Sequence, residues 1–292
     1  MRKFPYTEIL GWSASRYDVF MSCKRNYFYT YYSKHDKEFS KERINRLRSL
    51  TTIPMEAGSL AHELIAAVLH RLQKSSMPIN RQRLFVFLSG IVEETVSKKE
   101  FFEVYYKRID RVDMDQLVDI ALKSILQFLD SDRFAWIVER AQNRSDAWII
   151  EPEGFGETRI AGLKAYCKVD FMLPDRGKVY IFDWKSGKPE PEKHRKQVIG
   201  YALFANHNYG YDPKTIFPVL AYLKDNYHEE QIAIAENELS QFQQQVKTES
   251  EEMWAFTKDV NRNIPLNKEH FPLLSNPALC AYCNFKELCG RA

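Results

Sequence analysis

The chain has 292 residues, of which 45% are hydrophobic and 28% charged, and its 42 Lys and Arg against 39 Asp and Glu leave a formal net charge of +3. That length can bury a real core in one large domain or two modest ones. The near balance of charge excludes a polycation, so any nucleic-acid site must be a local basic patch.

The N-terminal MRKFPYTEILGWS lacks the continuous apolar segment of a signal peptide. No run approaches the roughly 20 apolar residues that span a bilayer. A soluble, cytoplasmic protein with no membrane association is therefore expected. The five cysteines, at 23, 167, 280, 283 and 289, are an odd count. Without a secretion signal they do not read as a disulfide framework, and clustered thiols read first as metal ligands.

In chain order, residues 13–33 predict one helix capped by Ser13 or Ser15, with Tyr17, Phe20 and Met21 at helical spacing. Residues 34–54 are basic, carry Lys41, Arg43, Arg46 and Arg48, and read as a flexible or partly helical connection ending at Pro54. From Gly58 a helix is expected, with Leu60, Leu64, Ala67, Val68 and Leu72 on one face. Residues 80–146 hold helix-period stretches with almost no Gly or Pro, which reads as an inserted helical subdomain.

The texture then changes. AWIIEPEG (147–154), ETRIAGLKAYCKVDFMLP (157–174) and KVYIFDWK (178–185) predict three successive strands, with turns at GFG and PDRG. A helix over 192–208, strands at 215–223 and 229–235, and a long polar helix over 237–260 follow. The tail from Asn261 is loop-like and carries three cysteines. This order predicts an α/β fold with a meander-like front half and helices packed on the sheet. Its segments are 1–57 (first helix and basic stretch), 58–79 (core helix), 80–146 (helical insertion), 147–260 (α/β core) and 261–292 (cysteine-bearing tail).

Within IFDWKSGKPE (181–190), strand alternation turns Asp183 and Lys185 to one face and Trp184 to the other. Asp-x-Lys occurs about once by chance in a chain of this composition, so the tripeptide alone is equally an ion pair at a strand end. Asp170 lies 13 residues earlier, and a hairpin across PDRG brings both carboxylates to one end of the sheet. Two carboxylates with neighbouring carbonyl oxygens suit Mg²⁺ or Mn²⁺. A lysine beside them can hold the attacking water or stabilise charge growing on a phosphate.

Asp170 followed by Asp183-Trp184-Lys185 resembles the D…(D/E)-x-K core of the PD-(D/E)XK nuclease superfamily. Gly58-Ser59-Leu60-Ala61-His62 resembles the G-x-x-x-H element of its RecB-like branch, and Gln197 and Tyr201 resemble that branch's Q-x-x-x-Y. The resemblance implies a restriction-endonuclease-like core, a mixed central sheet flanked by helices. It further implies His62, Asp170 and Asp183 as metal ligands, Lys185 as the catalytic lysine, and Gln197 and Tyr201 beside the substrate. The AYCKVDFML stretch departs from the pattern, lacking the glycine and arginine that many relatives carry around the aspartate and a proline before it.

Cys280-x2-Cys283-x5-Cys289 needs a fourth ligand, and Cys23 is the one candidate outside a predicted strand; Cys167 reads as core. Four thiolates satisfy a tetrahedral Zn site or an iron–sulfur cluster. The layout resembles RecB-like nucleases of the AddB type, which implies a 4Fe–4S cluster stapling the C-terminus. Lys24, Arg25, Arg43, Arg46, Arg48 and Lys188 are candidate nucleic-acid contacts, and the tyrosines of 27–32 suit base stacking, although most read as core. The expected function is a metal-dependent exonuclease acting on single-stranded DNA from an end, in repair and recombination or in CRISPR adaptation. A helicase or CRISPR-adaptation protein is a possible partner. The alternative is a catalytically silent nucleic-acid-binding subunit with the same staple.

Overall fold

The computed structural model describes residues 2, 4–75, 77–152 and 156–291. It divides into two compact units, one of residues 1–2, 51–157 and 167–239, the other of 3–50, 158–166 and 240–292.

The second unit opens with helices α1 (Ala14–Ser22) and α2 (Lys24–Tyr32), not the single helix expected over 13–33. The break falls at Cys23, whose backbone is extended at φ −164° and whose Sγ accepts the Asn26 N–H at 3.5 Å, so the thiol itself caps α2. The aromatic run is core, as read: Tyr27, Phe28, Tyr29 and Tyr32 are buried, and Phe271 from the tail packs against Tyr27, Phe28 and Tyr32. Part of the basic connection is ordered as α3 (Lys41–Arg48), where Ile44 and Leu47 supply a buried stripe.

In the first unit, α4 (Ile53–Lys74) starts before Gly58. Thr52 caps it and Pro54 sits in the first turn, where a missing N–H costs nothing. The 80–146 stretch forms α5 (Arg81–Lys98), a single turn α6 (Phe102–Tyr105), α7 (Met114–Leu129) and α8 (Asp132–Arg144). Rather than making a core of its own, it packs Leu88, Val92, Leu117, Ile125 and Phe128 into one cluster with Leu64 and Val68 of α4 and with Phe171, Phe182 and Trp184 of the sheet.

The sheet has five strands in the order β1 (Ile149–Ile150), β4 (Phe171–Asp175), β5 (Lys178–Lys185), β6 (Ile216–Tyr222), β7 (His228–Gln231). β5 and β6 pair in parallel, joined through helix α9 (Pro191–Tyr209); the other pairs are antiparallel. The single strand expected over 157–174 is three pieces. β2 (Glu157–Ile160) and β3 (Leu163–Tyr166) form a separate hairpin around Ala161 and Gly162, and β4 begins only at Phe171. Of the expected GFG turn, residues 154 and 155 lie outside the described residues. The polar helix α10 (Glu236–Trp254) ends early, because 257–259 form β8 against β9 (Ile264–Pro265). No helix among the described residues is long and apolar enough to cross a membrane.

Candidate active site

The β4–β5 hairpin sets the site. Asp175 pairs with Lys178, so the turn is the two residues Arg176 and Gly177, both at positive φ (48° and 78°), the backbone that suits strand twist. The same register pairs Phe171 with Phe182. Just past the end of that ladder, Asp170 comes close enough to Asp183 for its charge to act on it. Asp170 lies in the bend before β4, and its Oδ2 accepts the Trp184 N–H at 2.9 Å. The Trp184 indole turns to the core, stacked on Phe182 at 5.3 Å and against Phe128 at 4.9 Å.

On the opposite face, Lys185 Nζ lies 2.5 Å from Asp183 Oδ2 and donates to Gln197 Oε1 at 2.7 Å. Gln197 Nε2 donates to Tyr201 Oη at 2.5 Å, and Tyr201 Oη donates to Asp183 Oδ1 at 3.4 Å. The four side chains close a ring, with Gln197 and Tyr201 one turn apart on α9. Asp183 is 2% exposed, and its Oδ2 has the lysine's charge beside it but no well-directed hydrogen bond. Burial, then the charge of Asp170, pushes its carboxyl up to about 6 against the pull of Lys185. Tyr201 is raised well above the usual phenol value by burial and by the two aspartates.

His62 completes the group from α4, with Nδ1 3.4 Å from Asp170 Oδ1. Burial opposes its protonation, but the charges of Asp170 and Asp183 outweigh that and raise its pKa. Gly58, one turn earlier, marks a close approach: a Cβ there would lie 2.7 Å from Ser186 Oγ in the bend after β5. These groups line a cleft of about 360 Å³ that also takes in Lys188.

The cleft holds residues that the sequence reading missed: Lys168, Ser186, Glu190 and His194. His194 is buried, and its Nδ1 lies 3.1 Å from Tyr222 Oη and 3.4 Å from the Glu190 N. An amide N–H only donates, so Nδ1 accepts. Burial, then the nearby Lys185, pushes this imidazole down to about 4, leaving it neutral at pH 7. The available signal was its position, three residues before Gln197 on one helix face.

The sequence matches the PD-(D/E)XK nuclease superfamily over residues 11–290. The chain belongs to that superfamily. Its mixed sheet flanked by helices is consistent with a restriction-endonuclease-like core. No curated protein matches it. Among solved structures, the crystal structure of SSO0001 is similar at 17% identity and a TM-score of 0.32, covering 64% of this chain and 78% of that one.

The second unit of this PD-(D/E)XK nuclease carries the four cysteines singled out in the sequence. Cys23, Cys280, Cys283 and Cys289 are free thiols in one neighbourhood. Burial, then Cys283, Cys23 and Cys280, pushes the Cys289 thiol up to about 11. Nitrogen donors surround them: Asn26 Nδ2 lies 3.9 Å from Cys283 Sγ and an Arg291 guanidinium nitrogen 3.9 Å from Cys280 Sγ. The buried Tyr29 hydroxyl is pushed up first by burial and then by the nearby Cys289. Clustered sulfur donors with N–H groups beside two of them suit a thiolate-bound group, since such hydrogen bonds stabilise coordinated sulfur. Among the described residues, no group of three or more His, Cys, Asp or Glu is arranged to hold a metal ion at either centre. Cys167 is buried, with its thiol pushed up to about 12 by burial alone.

The basic candidates of this unit make contacts within it. Lys24 Nζ donates to Phe20 O at 2.7 Å and sits over the Phe20 ring, Arg25 donates to Phe271 O at 2.8 Å, Arg43 pairs with Glu287 at 2.8 Å, and Arg48 donates to Thr30 O at 3.0 Å. Arg46 stands in the last turn of α3.

Proposed function

We propose that this nuclease is a metal-dependent deoxyribonuclease of the RecB-like branch that hydrolyses phosphodiester bonds of single-stranded DNA from an end. The observation that carries the reading is the ring around Asp183, in which Lys185 Nζ stands 2.5 Å from one buried carboxylate and a second, Asp170, lies close by just past the end of the hairpin ladder. His62, Asp170 and Asp183, with a carbonyl near residue 184, are the donors for Mg²⁺ or Mn²⁺. Asp183 Oδ2 supports this, because it is buried with the Lys185 ammonium beside it but no well-directed hydrogen bond, a costly place for a carboxylate oxygen. When bound, such an ion supplies Lewis-acid polarisation of the phosphate and neutralises its developing charge.

The chain's own residues do the rest. Lys185 positions the attacking water or takes its proton, held at its place by Gln197. Tyr201 fixes Asp183 through Oδ1, and the Trp184 amide fixes Asp170 through Oδ2. Lys168 and Lys188 bring positive charge to the cleft and draw the phosphate in. Lys24, Arg25, Arg43, Arg46 and Arg48 are proposed to meet the strand through the faces their structural contacts leave open. Cys23, Cys280, Cys283 and Cys289 are proposed to hold a 4Fe–4S cluster, with Zn as the alternative, tying α2 to the tail. Repair and recombination or CRISPR adaptation is the proposed setting, with a helicase or an adaptation protein as partner.

Linear and circular single-stranded DNA of one sequence, incubated side by side with Mg²⁺ or Mn²⁺, test the reading. Loss of the linear form with survival of the circle is expected. Equal cutting of the circle removes the end requirement, faster loss of matched RNA removes the DNA preference, and binding without cutting returns the silent-subunit alternative.

A further inference from the structure

Residues 83–88 read RLFVFL. On α5 the buried positions are Leu84, Leu88, Val92 and Thr95, the stripe that a helix lying on a core requires. Phe85, Val86 and Phe87 are therefore surplus to that stripe, and they stay 45%, 64% and 50% exposed. Consecutive helix positions step by about 100°, so these three spread round the outer side of α5, and Val86 and Phe87 border the hollows beside it.

There α4 and α5 enclose a groove of about 230 Å³, with Val68, Ile79, Leu84 and Phe87 among its walls. Past Phe87 it continues into a second, shallower hollow that includes Val86 and Gln82. Arg71 from α4 and Arg83 from α5 both line the groove, and no acidic residue lines either hollow. Other arginines of this unit are matched to carboxylates: Arg133 with Glu229, Arg140 with Asp175, Arg195 with Glu238. Arg71 donates to the Pro78 carbonyl at 3.4 Å, and among the described residues neither Arg71 nor Arg83 has a carboxylate partner. An apolar slot rimmed by two uncompensated guanidiniums is complementary to one kind of chain: an apolar side chain flanked by carboxylates, which arginine binds in bidentate fashion.

We propose that this groove docks an acidic segment of another protein, with an aromatic or aliphatic side chain seated between Ile79, Leu84 and Phe87 and its carboxylates on Arg71 and Arg83. A nucleic-acid strand fits less well, because the aliphatic floor would face sugar and phosphate. Self-pairing about a two-fold axis would bring the groove onto its own copy and set arginine against arginine. The proposal does not depend on the nuclease chemistry.

The test uses the full chain and a labelled short peptide of aspartates around one phenylalanine and one leucine, titrated by fluorescence anisotropy. Saturable binding is expected, weakened at least about tenfold by Arg83→Glu and by Phe87→Ala, and lost when the peptide's aspartates are replaced by asparagines. DNA cleavage by both protein variants should stay at the wild-type rate, which separates this proposal from the active-site reading. No binding up to about 1 mM peptide, the weak end of specific recognition, overturns it. So does binding that neither variant changes. Displacement of the peptide by a single-stranded oligonucleotide would assign the groove to nucleic acid. Sedimentation showing a dimer that Arg83→Glu dissociates would assign it to a second copy; either result also overturns the proposal.

Discussion

Asp183 and His194 are buried groups of one cleft whose proton affinities are driven in opposite directions. The Asp183 carboxyl, at about 6 when folded, lies above its ordinary value of 3.8, so the folded chain keeps a proton that the unfolded chain has released between those pH values. Its burial therefore lowers stability as pH rises through that window. Asp183→Asn removes the buried charge, and urea unfolding of the chelator-treated protein near neutral pH should show it more stable than wild type by on the order of 1–3 kcal/mol. A less stable variant would mean that the carboxylate is held without cost. His194 does the reverse. Its folded value of about 4 lies below the ordinary 6.5, so the stability it carries is present above 6.5 and is lost as pH falls toward 4. His194→Gln should flatten the acid side of the stability curve over that range, and parallel curves for the two proteins would contradict the assignment. Asp183 and Lys185 were legible in the sequence because strand alternation alone puts them on one face. His194 was not, because its partner Tyr222 comes from β6, 28 residues later, and only the parallel crossover brings them together.

Among the elements, the β4–β5 hairpin is the part of the site most exposed to a single change. The turn needs Gly177 at φ 78°, and the register it imposes carries Asp170 to its place near Asp183. Gly177→Val should cost roughly 1–2 kcal/mol, read by thermal unfolding, and should slow cleavage although the residue lies at the far end of the hairpin. Unchanged activity in a destabilised variant would show that the register is fixed elsewhere. The hairpin was legible from PDRG, as were α9 and the strand β6 from their patterns, although not the parallel pairing of β6 with β5. The break at Cys23 was hidden because 13–33 contains no Gly or Pro to mark it. The β2–β3 hairpin was hidden because Ala161 and Gly162 interrupt an otherwise alternating run by only two residues. The start of α4 was missed because Pro54 reads as a stop, although a proline in a first turn is favourable.

For the whole molecule, the cysteines join residues far apart in sequence, Cys23 to the 280–289 segment, inside the second unit. A group bound there closes a long loop, so its loss should loosen that unit. Cys283→Ser should lower the melting temperature and speed proteolysis of the 261–292 tail, and protein purified without air should lose its brown colour on the substitution. A colourless wild type containing zinc would replace iron–sulfur with the tetrahedral site, and a wild type holding neither metal would remove the staple. The closeness of the three tail thiols was legible in their spacing, whereas which group they would hold is not a matter of spacing at all.

The most direct measurement is the rate at which end-labelled single-stranded DNA is degraded with Mn²⁺ or Mg²⁺ by wild type, Asp183→Asn and Lys185→Met. Metal-dependent loss of label in the wild type is expected, with both variants slower by at least about 100-fold and both folded by circular dichroism. Degradation that survives chelation, or that persists in the two variants, would contradict a metal-dependent centre built on Asp170, Asp183 and Lys185.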